Sequence, residues 1–310
     1  MTYDKTIAVL IPCYNECHTI GKTVKDFQKA LPTARIYVYD NNSTDGSDEI
    51  ARNAGATIVY EHNQGKGNVV RSMFKQIDAD CYVMVDGDDT YPAENAKEMC
   101  DLILNHGIDM VIGDRISSNY SDINKRRFHN FGNILVQKLV NWIFNSNLKD
   151  IMTGYRAFSK SFVKNCPVLS KGFEIETEIT TFALNHSFQI KEVPIVYRDR
   201  PKNSFSKLNT FKDGTLVLIT LAKLFRDYKP YTFFSLLALF FVLIATVLII
   251  PIISEYIHSG LVPRFPTLIT SVAFSLIGVL FYFCGIILDV IQNKNKQLFE
   301  LIIKRNLLIL

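Results

Sequence analysis

The fold is decided by Ile7-Ala8-Val9-Leu10-Ile11-Pro12-Cys13-Tyr14-Asn15-Glu16, a short apolar run that leads directly into an acidic loop. The pattern recurs where Ile36–Tyr39 precedes Asp40-Asn41-Asn42-Ser43-Thr44-Asp45, and where Cys81–Val85 precedes Asp86-Gly87-Asp88-Asp89. In open α/β sheets, ligands bind outside the carboxyl ends of the strands. The three loops therefore predict one crevice that holds a divalent cation and a phosphorylated ligand.

Short β-rich runs alternate with helical patterns as far as residue 230. Further strands are predicted at Thr57–Tyr60, Met110–Ile112 and Ile190–Val196. Helical patterns cover Thr19–Ala30, Ser47–Ala54 and Gly67–Ile77. This alternation is typical of an α/β domain in which helices cover both faces of a mostly parallel sheet.

Two long uncharged segments follow, Tyr231–Ile253 with 23 residues and Thr267–Leu288 with 22. Each meets the roughly 20 residues that a helix needs to span a bilayer. Buried core helices are the alternative, but two such runs would need a larger surrounding core than this chain offers. The sequence predicts a transmembrane hairpin.

Positive charge brackets this hairpin. Arg226 and Lys229 precede it, whereas the connecting loop Ser254–Pro266 carries only Arg264 as a firm positive charge. The residues that follow the second span include Lys294, Lys296, Lys304 and Arg305. Because positive residues stay on the cytoplasmic side, we expect an integral protein of the cytoplasmic membrane with its N-terminal domain and both termini in the cytoplasm.

The bulk composition adds little. The formal charge of +4 is uninformative as a total, and no nucleic-acid partner is expected. The six cysteines form no CxxC pair and no Cys/His zinc spacing, which favours reduced thiols. The N-terminal apolar run is too short for a signal peptide.

Two further segments are amphipathic but too short to span, Gly132–Phe144 and Thr215–Tyr228. Packing on the protein's own core is the ordinary role of such a helix. For Thr215–Tyr228, which runs directly into the first span, we favour a position in the membrane interface.

Asp86 and Asp88 are two residues apart, so in extended backbone their side chains point the same way. Two carboxylates aimed together repel each other unless a cation lies between them. Hard oxygen ligands select Mg²⁺ or Mn²⁺ over zinc, and magnesium completes its shell with substrate phosphates and water. The pair is therefore predicted to hold a metal ion.

Gly65-Lys66-Gly67, followed by Asn68 and Arg71, precedes a helical pattern. Glycines permit close approach of the backbone, and Lys66 and Arg71 could meet phosphate charge; an ordinary flexible turn is the alternative. The segment has neither P-loop spacing nor a Gly-x-Gly-x-x-Gly fingerprint, so it supports neither an ATPase nor a dehydrogenase.

A set of motifs runs in order along the chain from residue 7 to about 214. They are Pro12–Glu16, Asp40–Asp45, Gly65–Gly67, Asp86–Asp88, Gly113–Arg115, Asp150–Arg156, Gly172–Glu178, and Arg200 with Ser206–Leu208. Together they resemble the family 2 glycosyltransferases of GT-A fold, and among them the polyprenyl-phosphate glycosyltransferases, the group that includes dolichyl-phosphate mannose synthase.

The resemblance implies a role for each matching position. Asp86 and Asp88 would hold the metal on the diphosphate, with Thr90 standing where dolichyl-type enzymes carry Gln. Asp40 would read the base. The other residues of the nucleotide site would be Pro12, Tyr14, Glu16, Asn42 and Lys66. The lipid phosphate would be held by Arg115, Arg200, Ser206 and Lys207.

The acceptor chemistry can be argued directly. A phosphate monoester is mostly a dianion at cytosolic pH, so it needs positive charge near the sugar carbon more than it needs a strong base. Arginines offer bidentate geometry for this, although each arginine taken alone could equally form a solvated surface ion pair. Asp150 and Glu176 are candidates for orienting the acceptor, whereas Glu174 and Glu178 could simply share a helix face.

These expectations describe an inverting, metal-dependent glycosyltransferase. It would move a sugar from a nucleotide-sugar, with UDP-glucose or UDP-N-acetylglucosamine favoured, to polyprenyl (undecaprenyl) phosphate for cell-surface glycans. The alternatives are a GDP-mannose-dependent synthase, a processive polysaccharide synthase and a non-catalytic membrane scaffold. The processive class normally carries a Gln-x-x-Arg-Trp motif, whereas Trp142, the chain's only Trp, lies in Asn141-Trp142-Ile143.

The predicted organisation has four parts. A cytoplasmic GT-A domain covers residues 1–214, and an interfacial helix covers 215–230. The hairpin covers 231–291, and a cytoplasmic tail covers 292–310. Self-association is left open.

Overall fold

The computed structural model describes residues 5–118, 127–172, 174–198, 219–220 and 222–307. Side chains are described for all of these residues except 127–131 and 305–307. The chain divides into two compact units, Met1–Val217 and Leu218–Leu310. The finer boundaries proposed above at residues 214, 230 and 291 stay predictions.

The first unit is built on a mostly parallel sheet, as predicted, with seven strands among the described residues. The strands are β1 Ile7–Cys13, β2 Arg35–Asp40, β3 Thr57–Tyr60, β4 Cys81–Met84, β5 Met110–Asp114, β6 Arg156–Ser159 and β7 Ile190–Pro194. Their order is β3-β2-β1-β4-β6-β5-β7, and only β6 runs antiparallel to its neighbours β4 and β5.

The registers bring the predicted acidic loops to one edge of the sheet. Cys13 at the end of β1 is opposite Asp40 at the end of β2. On the other side of β1, Leu10 is opposite Met84 at the end of β4. All three strands are parallel, so their carboxyl ends meet at the same edge. The three acidic loops therefore lie at one edge of the sheet, and the crevice between them stays a prediction.

Strand β6 was not predicted. Its four residues begin with an arginine and end with a serine, so they lack the apolar run that identified the other strands. Because β6 is antiparallel, its first residue, Arg156, pairs with Met84 at the carboxyl end of β4. The preceding segment, residues 150–155, therefore lies at the same edge as the acidic loops.

Helices cover the sheet. They are α1 Ile20–Ala30, α2 Ser47–Asn53, α3 Lys66–Gln76, α4 Ala96–His106, α5 Arg127–Phe144, α6 Lys160–Asn165 and α7 Ile175–Asn185. Helix α1 shows why they form, because Ile20, Val24 and Phe27 recur at the spacing of one helical face and are buried in the core. Burial of each such side chain stabilises the fold by about 1.5–3 kcal/mol.

Helix α5 contains the amphipathic segment Gly132–Phe144. Val136, Val140 and Ile143 are buried, which is the core-packing role. Ile134 and Trp142 are exposed.

The second unit contains two long helices, α8 Pro230–Ser259 and α9 Phe265–Leu307. Both are long and apolar enough to cross a membrane, and only 17% of each apolar window is buried. Core helices of a soluble protein would be mostly buried, so this alternative is disfavoured. Of the predicted interfacial helix, residues 222–228 are helical and 215–218 and 221 lie outside the described residues.

Small residues bring α8 and α9 together. A Cβ atom added to Gly278 would lie 3.1 Å from the Ala238 carbonyl oxygen. Ser271 donates a hydrogen bond to the Ala245 carbonyl oxygen at 2.9 Å, and both residues are buried. Close backbone approach with hydrogen bonds of this kind is typical of helix pairs in membranes.

Candidate active site

The first two acidic loops are joined by hydrogen bonds. The Asn15 amide N–H donates to Ser43 Oγ at 3.0 Å, and the Thr44 N–H donates to Asn15 Oδ1 at 2.8 Å. The Glu16 N–H donates to Ser47 Oγ at 2.8 Å. Asn15 adopts a left-handed conformation with φ 53°. Asparagine adopts this conformation more readily than most non-glycine residues, and the hydrogen bonds on its backbone N–H and side-chain oxygen hold the two loops together.

Asp40 is the last residue of β2 and is buried. Its Oδ2 accepts a hydrogen bond from the Ser43 N–H at 3.1 Å. Its Oδ1 is buried and has no hydrogen-bond partner among the described residues. A buried carboxylate oxygen without a donor is costly, so this atom is suited to accept an N–H from a ligand. Tyr14, on the facing loop, is exposed.

The two asparagines beside Asp40 shape the next loop. The Asn41 side-chain amide donates to the carbonyls of Glu61 and Asn63, and its oxygen accepts from the Gly65 N–H. Asn42 donates to the His62 carbonyl at 3.0 Å. The nucleotide role assigned to Asn42 therefore stays a prediction, while its observed contact is with the protein's own loop.

Lys66 lies between two carboxylates. Its Nζ is 2.6 Å from Asp86 Oδ1 and 2.6 Å from Glu176 Oε1, and the lysine side chain is only 10% exposed. Burial lowers the pKa of Lys66, but the negative charges of Asp86 and Glu176 raise it by more than burial lowers it. The pKa of Lys66 therefore lies above its usual value. Lys66 is therefore a buried, charged ammonium. The sequence did not predict the contact with Glu176.

The glycines on either side of Lys66 approach another part of the protein. The Gly67 N–H donates to the Lys171 carbonyl at 3.1 Å, and a Cβ added to Gly67 would lie 2.1 Å from the Ser170 carbonyl oxygen. Arg71 donates to the carbonyls of Val168 and Leu169 at 2.6 and 3.0 Å. The observed contacts of Arg71 are therefore with the protein's own backbone, and the expectation that Arg71 meets phosphate stays a prediction.

Glu178 holds the same segment from helix α7. Its carboxylate accepts from the N–H groups of Leu169 and Ser170, each at 2.8 Å. Glu178 therefore does more than share a helix face with Glu174, the alternative considered from the sequence. Glu178 and Arg71 instead fix residues 168–170 from opposite sides, one through N–H groups and the other through carbonyls.

Asp86 and Asp88 lie in the third loop, after β4. Asp88 is buried, and its Oδ1 accepts a hydrogen bond from Thr90 Oγ1 at 2.6 Å. A Cβ added to Gly154 would lie 2.4 Å from Asp86 Oδ2, so a larger residue here would require the Asp86 carboxylate to move. Asp89 has φ 58° and forms a 2.7 Å ion pair with Lys22.

This donor set fits a hard divalent ion. Asp86 and Asp88 offer only carboxylate oxygens, and no group of three metal-ligating His, Cys, Asp or Glu residues occurs within the described part of the chain. Mg²⁺ and Mn²⁺ accept one or two protein carboxylates when phosphates and water complete the shell. A structural zinc site would require more protein ligands.

Arg115 and Asp150 form a buried, bidentate ion pair. Arg115 Nε lies 2.7 Å from Asp150 Oδ2, and Arg115 Nη2 lies 2.9 Å from Oδ1. The Arg115 backbone N–H also donates to Oδ2. The guanidinium lies 5.6 Å from the ring centre of Tyr197. The pair is neither solvated nor superficial, and the separate roles assigned to its two members stay predictions.

Glu192 and Tyr91 support this pair, and sequence reasoning missed both. Glu192, on β7, accepts from the N–H groups of Lys149 and Asp150 at 2.8 and 3.0 Å. Tyr91 Oη accepts from the Gly154 N–H at 3.1 Å. Burial raises the pKa of Tyr91, so the hydroxyl stays protonated. Tyr91 follows the aspartate loop directly, and this proximity in sequence was the available signal.

Arg156 was also missed, although it closes the Asp150–Arg156 motif. It is fully buried and donates to the Thr153 carbonyl at 3.0 Å and to Thr180 Oγ1 at 2.8 Å. Burial lowers the pKa of Arg156 to about 10. It links the loop that carries Asp150 to helix α7, which carries Glu176.

The structure thus brings most of the predicted site together at one sheet edge, from Asp40 to Asp88 and from Asp150 to Glu176. Arg200, Ser206 and Lys207 lie outside the described residues. Their roles stay predictions.

Comparison with known proteins identifies the family. The glycosyl transferase family 2 domain matches residues 8–166. A dolichyl-phosphate hexose transferase of Haloferax volcanii is 30% identical, over 72% of this chain and 94% of its own length. The glycosyltransferase AglJ of the same organism is 29% identical over 96% of this chain and 97% of its own.

A solved structure has the same fold. Glucosyl-3-phosphoglycerate synthase from Mycobacterium tuberculosis, in complex with Mn²⁺, UDP and glucosyl-3-phosphoglycerate, superposes with a TM-score of 0.56. It is 19% identical and covers 72% of this chain and 79% of its own. The fold, the matched domain and the aligned relatives agree, and the chain belongs to glycosyl transferase family 2.

Proposed function

We propose that this enzyme transfers a hexose or N-acetylhexosamine from a UDP-sugar to polyprenyl phosphate, with inversion at the sugar carbon and release of UDP. The acceptor class is supported by the dolichyl-phosphate hexose transferase that aligns over most of the chain. It is also supported by two helices long enough to anchor the enzyme where such a lipid resides.

The choice of UDP rests on the single observation that Asp40 Oδ1 is buried without a partner. Uracil presents one imide N–H, whereas guanine presents an imide N–H and an amino group side by side. Asp40 Oδ2 already accepts from the Ser43 N–H. Asp40 Oδ1 can accept the single imide N–H of uracil, and this match is the basis for proposing UDP over GDP-mannose.

Asp86 and Asp88 would hold Mg²⁺ or Mn²⁺ against the diphosphate. When bound, the ion would neutralise the negative charge that develops on the leaving UDP. The Mn²⁺ and UDP bound by the structural relative are consistent with this assignment. Thr90 would keep Asp88 oriented through its hydrogen bond to Oδ1.

The acceptor phosphate arrives as a dianion, so binding and orientation dominate over base catalysis. Arg200, Ser206 and Lys207 are proposed to hold it. Arg115 would contribute positive charge from a guanidinium whose orientation is fixed by Asp150. We propose a positioning role for Asp150, because both of its oxygens accept from Arg115.

The second unit is proposed to form a hairpin that spans a bacterial-type cytoplasmic membrane, with both of its ends in the cytoplasm. The donor is cytosolic and the polyprenyl chain remains in the bilayer, so a cytoplasmic site beside the membrane satisfies both substrates. The product would serve cell-surface glycan synthesis or modification.

The test is a donor panel. The purified full chain would receive polyprenyl phosphate, Mn²⁺ and radiolabelled UDP-glucose, UDP-N-acetylglucosamine or GDP-mannose, and label in the organic phase would be counted. The proposal expects transfer from a UDP-sugar. Transfer from GDP-mannose alone would establish the mannose synthase alternative, and growth of a long polymer would establish a processive synthase. Failure with all donors, by protein that still binds UDP and Mn²⁺, would favour the scaffold.

A further inference from the structure

Lys66 places a positive charge directly beside the proposed metal site. Its Nζ contacts Asp86 Oδ1 at 2.6 Å, and Asp86 is one of the two carboxylates proposed to hold the ion. The lysine side chain is 10% exposed, so water screens its charge poorly. An ion that binds Asp86 therefore has to compete with an ammonium group that already occupies one of its oxygens.

The arrangement is held from a second side. Glu176, on helix α7, is buried and contacts Lys66 Nζ at 2.6 Å. Lys66 is the first residue of helix α3, and the Gly67 N–H beside it is bound to the Lys171 carbonyl. The lysine is thus fixed by its backbone and by a carboxylate that is not itself among the proposed metal ligands.

We propose that Lys66 is the determinant of metal affinity in this enzyme, a resident cation that keeps the Asp86–Asp88 site from binding a divalent ion until a nucleotide diphosphate supplies negative charge. Glu176 is the positioning residue that retains Lys66 in the site when Asp86 turns to the metal. The inference rests on the proposed metal-dependent function. It adds that the ion and the nucleotide bind as a coupled pair, with the ion binding weakly until the nucleotide is present.

The physical argument is one of charge. If Lys66 stays on Asp86, an incoming divalent ion meets like-charge repulsion at short range in a poorly screened site. If Lys66 leaves Asp86, a charge-assisted hydrogen bond is lost. Either event weakens binding of the ion alone. A diphosphate offsets the excess positive charge, so each ligand should strengthen binding of the other by the same factor.

The experiment measures Mn²⁺ binding to the full-length protein in detergent by electron paramagnetic resonance, with and without UDP. Lys66→Gln should bind Mn²⁺ without UDP at least about tenfold more tightly than the unsubstituted protein, the scale of one charge-assisted contact. The factor by which UDP strengthens Mn²⁺ binding should shrink accordingly. Lys66→Arg keeps the charge and should retain weak binding alone and strong coupling to UDP.

Lys75→Gln is the matched control. Lys75 is an exposed lysine in the last turn of the same helix, so the substitution removes the same charge from the same element. It should leave Mn²⁺ binding unchanged. Equal tightening in Lys75→Gln and Lys66→Gln would overturn the proposal, because only net charge would then matter. Unchanged Mn²⁺ binding in Lys66→Gln would also overturn it.

Loss of Lys66 leaves Asp86 and Glu176 without their shared cation, so folding is followed as a second readout. Mn²⁺ alone should raise the unfolding temperature of Lys66→Gln more than that of the unsubstituted protein. A Lys66→Gln protein that stays unfolded in Mn²⁺ would count against the proposal. The proposed function fails separately, if the unsubstituted protein transfers sugar without any metal or binds no Mn²⁺ even with UDP.

Discussion

Arg115 and Asp150 meet in a bidentate ion pair, with Arg115 Nε 2.7 Å from Asp150 Oδ2 and both side chains buried. One partner follows β5 and the other precedes β6, which are adjacent in the sheet. The pair therefore joins two neighbouring loops at the edge where the acidic loops lie. Two residues whose roles were predicted separately therefore form one ion pair.

Asp150→Ala should lower the free energy of unfolding by about 3–5 kcal/mol, because it leaves a buried guanidinium without its counter-ion. Asp78→Ala is the control, since Asp78 pairs with Lys160 on the exposed surface, where such a pair contributes about 0–1 kcal/mol. Denaturant unfolding of the full chain in detergent compares the two variants. Equal, small losses would contradict a structural role for the buried pair.

Asp40→Asn should weaken UDP binding by about 10- to 150-fold, the loss expected for one charge-assisted hydrogen bond of roughly 1.5–3 kcal/mol. The reason is that Asp40 Oδ1 is the buried acceptor without a partner in the described protein. Calorimetry with UDP measures the effect, and the unfolding temperature controls for misfolding. Normal UDP affinity in a folded variant would move the base-binding site elsewhere.

Gly154→Ala should reduce sugar transfer by more than about tenfold while the protein still folds. The added Cβ would lie 2.4 Å from Asp86 Oδ2 and 2.9 Å from its Cγ, so the carboxylate would have to turn away. Displacements of about 1 Å at reacting groups can cost about 100-fold in rate. Initial rates at saturating donor give the answer, and an unchanged rate would show that the position of Asp86 is unimportant.

The topology of the hairpin gives a further prediction. A reporter fused after Leu310 should score as cytoplasmic, and one inserted near His258 should score as external, because positive charge flanks the hairpin and is scarce in its connecting loop. The reverse pattern would place the catalytic domain on the side of the membrane that lacks nucleotide-sugars.

Much of the sheet could be predicted because its strands are short apolar runs that end in polar loops. The run Ile7–Ile11 became β1, and Thr57–Tyr60 became β3 with the predicted bounds. Parallel strands bring such loops to one edge, so the position of the Asp40 and Asp86 loops at the same edge of the sheet was predictable without coordinates. Strand β6 could not be predicted, because Arg156-Ala157-Phe158-Ser159 lacks the apolar run that identified the other strands.

The partners of the site residues were harder to predict. Lys66 and Glu176 are far apart in sequence, and they meet only because the first turns of α3 and α7 come together in the folded chain. Gly65 and Gly67 indicated a close backbone approach, but the sequence could not show that the approaching group is the Ser170–Lys171 backbone. Residue type predicted the chemistry, whereas long-range packing decided which groups meet.

The central claim is that the acceptor is a polyprenyl phosphate. The direct measurement supplies the purified enzyme with Mn²⁺ and a radiolabelled UDP-sugar that it accepts, and compares polyprenyl phosphate with the corresponding polyprenol. The account predicts label in the lipid fraction with polyprenyl phosphate only, released by mild acid as expected for a glycosyl phosphate. Equal labelling of the polyprenol, or label that stays with a water-soluble acceptor, would contradict it.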